Sequence, residues 1–131
     1  MTPVPGPITL TLERRAQPIL RVVLPAALEL RAVNDARAAL DGVLTPAAGD
    51  ARVGMLIDTR ALKTVAEGAF EALGALEMQA GRTARVARVA RLVADAKLAA
   101  DSNTAATAAG IAGAVRAFTR EDEALSFAEG A

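Results

Sequence analysis

The chain has 131 residues, enough for one domain with an ordinary core and too few for two. Hydrophobic residues make up 53% of it, which excludes a disordered chain, and its 15 basic side chains match 15 acidic ones, which removes the long-range attraction a nucleic-acid binder uses. Cysteine and histidine are both missing, so disulfides, thiolate nucleophiles, cysteine or histidine metal sites and the commonest general base are excluded. Much of the apolar fraction is alanine, and the only aromatics are Phe70, Phe118 and Phe127. Close backbone approach, more than bulky side chains, must therefore fill the interior.

Residues 1–7 carry three prolines and read as a disordered lead, with neither the basic nor the apolar region of a signal peptide. Residues 8–131 read as one domain. Ile8 to Glu13 alternates apolar and polar, the mark of a half-buried strand, and Ile19 to Leu24 is an aliphatic second strand. The short turn between them makes an antiparallel hairpin, and Pro25 ends it. The run Ile19 to Leu28 is broken by Arg21 and Pro25 and is too short to span a bilayer. From Leu28 a helix is predicted, with Leu30, Val33, Ala36 or Arg37, and Leu40 on its inner face and Gly42 at its end. Thr45 to Asp50 reads as a loop.

Arg52 to Asp58 is predicted as a buried strand. A Ser/Thr-x-x-Glu box, Thr64 to Glu67, then opens a helix over Val65 to Ala80, with Ala66, Ala69, Phe70, Leu73 and Leu76 as its buried stripe. Segment 82–93 places Arg82, Arg85, Arg88 and Arg91 at every third position. Its spaced β-branched residues favour a strand at about 85–93, although neither face is clean: Arg85 and Arg91 fall with Val89, and Arg88 with Val86 and Leu92. Asp95 to Ala109 reads as a helix with a break at Asp101–Asn103, and Ala114 to Phe118 as a short strand. A last helix is capped by Thr119, has acids in its first turn, and is pinned by Ala124, Leu125 and Phe127 or Ala128. The order is ββαβαβαβα, an α/β fold with one mostly parallel sheet and a hairpin-like start.

This order, the segment MLIDTRAL and the ending VRAFTREDEALSFAEG resemble the STAS superfamily, the anti-sigma-factor-antagonist fold related to the lipid-binding CRAL-TRIO domains. The resemblance covers nearly the whole chain from Ile8 and implies a STAS-like domain that regulates through protein contact. It also departs from the family. The phosphorylatable Ser or Thr expected at the helix start is replaced near Glu67, with Thr64 one turn away. That implies a divergent stand-alone member without the usual kinase switch.

The candidate interaction or ligand surface is Asp58, Thr59, Thr64 and Glu67. Asp58 and Thr59 stand at the C-terminal end of a parallel strand, where α/β sheets place ligands, or Asp58 closes a turn through its own backbone. Thr64 with Glu67 is either a phospho-switch pair or a capping box. The arginine series is a phosphate or acidic-partner site, or a solvated face. Ser102–Thr104 lines a pocket, or makes a turn or cap. Gly42, Gly54, Gly68 and Gly74 form neither phosphate-binding glycine arrangement, and no catalytic, cofactor or metal residue is assigned. The expectation is a cytoplasmic, bacterial, non-enzymatic regulatory domain with a protein partner. The alternative is a carrier of a small apolar ligand or lipid. Nucleic-acid binding and membrane insertion are not expected, and homodimerisation through the first strand or a helix face is compatible with the pattern.

Overall fold

The alternating segment Thr-Leu-Thr-Leu-Glu and the aliphatic run after it pair as an antiparallel hairpin of strands β1 (Thr9–Glu13) and β2 (Ile19–Val23). This is a computed structural model, and it describes residues 2–47 and 52–130. A two-residue strand β3 (Ala27–Leu28) leads into helix α1 (Leu30–Leu44), and a 3-10 turn follows at Thr45–Ala47. The rest of the loop expected to reach Asp50 lies outside the described residues. Strand β4 (Val53–Asp58) is buried along its whole length. Then come the short strand β5 (Thr64–Val65), helix α2 (Ala69–Thr83), strand β6 (Val86–Leu92), helix α3 (Ala96–Ala108), strand β7 (Val115–Phe118) and helix α4 (Glu121–Ala128).

The main sheet has the order β1-β2-β4-β6-β7, with every pairing after the hairpin parallel. Each crossover moves the same way along the sheet. Right-handed connections therefore put α1, α2 and α3 on one face and leave the other to α4. The first face buries Leu20, Val22, Met55 and Ile57 against Val33, Leu40 and Leu44 of α1 and Leu73 and Leu76 of α2. On the second face Ile19, Leu56, Ala90 and Leu92 meet Ala124 and Ala128 of α4, with Phe118, Leu125 and Phe127 packed at the margin. Small residues there let the helix approach the sheet closely. A side chain on Gly54 would stand 2.2 Å from the Ala128 carbonyl oxygen.

Several expected details are corrected by tertiary pairing. Thr64 and Val65 do not open a helix, because they pair with Ala27 and Leu28 in a small parallel sheet. Thr64 N–H donates to the Ala26 carbonyl at 3.1 Å and Ala66 N–H to that of Leu28 at 2.8 Å. Helix α2 starts after Gly68, whose φ of 81° is left-handed, a conformation that glycine adopts without strain. Ala66 and Phe70 are accordingly exposed rather than in the buried stripe. Gly42 lies inside α1, which runs on to bury Leu44, and Leu30 at the other end is exposed. The arginine segment is a strand. An irregularity between its Val86 and Arg88 pairings turns Val86 toward the α1–α2 core, so Arg88 shares its face with Ala90 and Leu92 only. Thr119 is not the cap of α4; Arg120 precedes the helix, without a side-chain cap bond.

Helix α3 shows no break at Asp101–Asn103. Asn103 instead reaches the free edge of β7. Its amide donates to the Ala117 carbonyl at 3.0 Å, and its carbonyl accepts the Ala117 N–H at 2.7 Å. One side chain thus imitates the next strand and satisfies an edge that invites unwanted pairing. Asn103→Ala is expected to leave both Ala117 groups without those partners. The cost is about 1–2 kcal/mol, read as a lower urea midpoint at unchanged slope.

Candidate functional site

Strand β4 ends at Asp58, which is only 8% exposed and is the one buried charged residue among those described. Its carboxylate is held by the residue two places on. Arg60 donates its backbone N–H and Nε to Oδ1 at 3.0 and 3.1 Å, and its Nη2 to Oδ2 at 2.8 Å. Burial opposes ionisation of Asp58. The hydrogen bonds from Arg60, with the charges of Arg60 and Arg21, outweigh burial and hold its pKa below the ordinary carboxylate value. Thr59 donates both its backbone N–H and its hydroxyl to the Leu92 carbonyl, at 2.9 and 3.0 Å. Asp58 and Thr59 therefore shape the exit from the strand and tie it to β6.

The ion pair extends across the sheet. Arg60 Nη2 also reaches Glu121 Oε1 at 3.2 Å, at the start of α4. Arg21 Nη1 donates to the same oxygen at 3.1 Å, and its Nε to Glu13 Oε1 at 2.9 Å. A chain of alternating charges thus runs from β1 through β2 and α4 to the loop after β4. Arg21 was the available clue in the sequence: a cation within an aliphatic strand needs a partner.

What this framework presents to solvent is the segment 60–68. Thr64 and Glu67 are both exposed, and neither side chain has a hydrogen-bond or ionic partner among the described residues. They do not meet each other as a capping box. Exposed apolar side chains occur on the same segment and on the helices next to it. Leu30 and Val65 are partly exposed, Phe70 is 63% exposed, and Met78 lies 66% exposed two turns further along α2. The Leu30 side chain stands 3.9 Å from where a side chain on Gly68 would begin. Reading Phe70 as core hid this patch in the sequence, since its spacing from Leu73 and Leu76 fits a buried stripe.

The arginine series does not form one surface. Arg82 and Arg85 are exposed, Arg88 lies over the Phe127 ring at 4.9 Å, and Arg91 faces the other side of the sheet, with Nη2 3.2 Å from Glu77 Oε1. Asp58 and Arg88 stand at opposite ends of the β4–β6 register, so the two do not share a site. Arg91 does line a cavity of about 290 Å³ with Ser102, Ala105, Ala109, Ile111 and Val115, between β6 and α3. Burial pushes the neighbouring Glu77 carboxyl up, against the opposing charge of Arg91. Among the described residues, no helix is long and apolar enough to cross a membrane.

A mostly parallel sheet with a hairpin start and a final helix alone on one face defines the fold as SpoIIAA-like, that is, STAS-like. It is similar to the crystal structure of an uncharacterized protein from the DUF3478 family with a SpoIIAA-like fold, from Shewanella loihica PV-4. The TM-score is 0.69 at 19% identity, with 98% of each chain covered. Neither a family model nor a curated protein sequence matches the chain.

Proposed function

We propose that this chain is a non-enzymatic regulatory domain that works by protein–protein contact, with the β4–α2 loop and the adjoining flank of α2 as its docking surface. The observation that carries this reading is the exposure of Val65 and of the unpartnered Thr64 and Glu67 on a segment anchored through Asp58 and Arg60, with Phe70 and Met78 exposed on the α2 that follows. Exposed aromatic and methionine side chains on a rigid base are what a binding hot spot uses. Asp58 and Thr59 position the surface, while Thr64 and Glu67 would meet the partner. The reading places the domain in the cytoplasm. It is tested by recovering partners from a native lysate at moderate salt with the wild type and with Phe70→Glu. A protein retained by the first and lost with the second is the expected result. The same proteins retained by both would count against the surface.

A second reading, a carrier of a small apolar ligand, is supported by the cavity above Arg91 and its alanine-rich wall. Arg91 would take an acidic head group while Ala105, Ala109 and Ile111 meet the apolar part. Native mass spectrometry of the purified protein separates the readings: a retained acid or lipid favours the carrier, and an empty chain disfavours it.

A further inference from the structure

The two edges of the main sheet are treated differently. At β7 the Asn103 side chain occupies the backbone groups of Ala117. At β1 the segment Thr9–Glu13 contains no proline, lysine or bulge, and Thr9 and Thr11 are exposed. Those are the devices by which a sheet edge is closed to further strands, and β1 lacks them. Beside this open edge, between β1 and α1, runs a groove of about 240 Å³ lined by Ile8, Leu10, Ala36, Ala39 and Val43. A second hollow of about 270 Å³ continues it past Ala32 and Asp35 to Glu29 and Arg31. Glu29 and Asp35 have no cationic partner among the described residues, so that end of the groove carries a net negative charge.

We infer that the β1 edge receives one extended segment of a partner protein, which adds a sixth strand and lays alternate apolar side chains into the groove. A basic residue of that segment sits against Glu29 and Asp35. Backbone pairing supplies the affinity, and the alternate side chains supply the selectivity. The occupant is a lone strand rather than a second copy of this domain. Helix α1 packs on β1. The acidic end of the groove calls for a basic segment, and a dimer of the free chain in sedimentation would overturn a lone strand as the occupant. This surface is separate from the β4–α2 loop, and the two can fail independently.

The test selects a phage library of random dodecapeptides on the full chain and measures the enriched peptides against three proteins. Enriched sequences are expected to alternate apolar residues and to carry a lysine or arginine at one end. Amide exchange should slow across Thr9–Glu13 on binding and stay unchanged in 59–68. Ala39→Arg fills the groove from an exposed helix position and is expected to weaken binding by about tenfold or more. Asp35→Lys should weaken only peptides with a basic end, by about fivefold, and less at high salt. No enriched sequence, protection confined to another region, or full affinity in a folded Ala39→Arg protein would overturn the inference.

Discussion

Gly54→Ala is expected to unseat α4. The new methyl would lie 2.2 Å from the Ala128 carbonyl oxygen and 2.8 Å from its carbon, both backbone atoms with no rotamer to change. Helix α4 is short, and Ala124 and Ala128 are its fully buried contacts with the sheet, with Leu125 and Phe127 only partly buried beside them. The Gln17 side chain, which donates to the same Ala128 carbonyl at 3.1 Å, would lose its partner too. Overpacking of this kind costs about 3 kcal/mol. The readout is a lower urea midpoint together with faster amide exchange in 121–128. Gly74→Ala is the control, since no atom of a neighbouring element lies within 4 Å of its new methyl and the residue sits inside α2. There the helix propensity of alanine should raise stability by about 1 kcal/mol. The same substitution thus has opposite signs at a glycine pressed against a neighbouring backbone and at one in an open helix position.

The second large effect is expected from Asp58→Ala. It leaves the Arg60 guanidinium with Glu121 as its remaining carboxylate and the Arg60 N–H without its Asp58 acceptor, at a cost of about 2 kcal/mol. The figure is moderated because the Arg60 side chain is about half exposed. Asp58→Asn keeps an acceptor for the backbone N–H and should lose about half as much. The pH dependence separates the charge from the packing. The folded pKa of Asp58 lies below its ordinary value, so the stability it contributes is complete above that value and fades as the pH falls through the folded one, below about pH 4. Glu77 shifts the opposite way, because burial raises its pKa, and it therefore adds a contribution of opposite sign to the wild-type curve. The difference between wild type and Asp58→Ala isolates Asp58. That difference should shrink on acidification, and a constant difference would assign the loss to packing alone.

How much of this was legible in the sequence depends on which interactions decide each feature. The buried strand ending at Asp58, the alternating strand ending at Glu13 and the helix that begins at about Asp95 are set by local pattern, and each appears where the pattern puts it. Thr64 and Glu67 had the spacing of a capping box, yet Ala27 and Leu28 draw Thr64 and Val65 into a strand pairing more than thirty residues distant in sequence. Asn103 reads as a poor helix residue until β7 is beside it. Phe70 carried the spacing of a core residue and stands in solvent, because α2 turns Ala69, Leu73, Leu76 and Ala80 inward. Asp58 ends β4 and Thr59 follows it, where the pattern puts the end of the strand. Their occupation by Arg60 and by the Leu92 carbonyl needed the fold.

The most direct test of the docking surface is amide hydrogen exchange on the chain in complex with the protein that the wild type, but not Phe70→Glu, retains. The account expects protection over 62–78, with the cavity-lining stretch 102–115 unaffected. Protection centred on 102–115, with 62–78 exchanging as in the free chain, would contradict it.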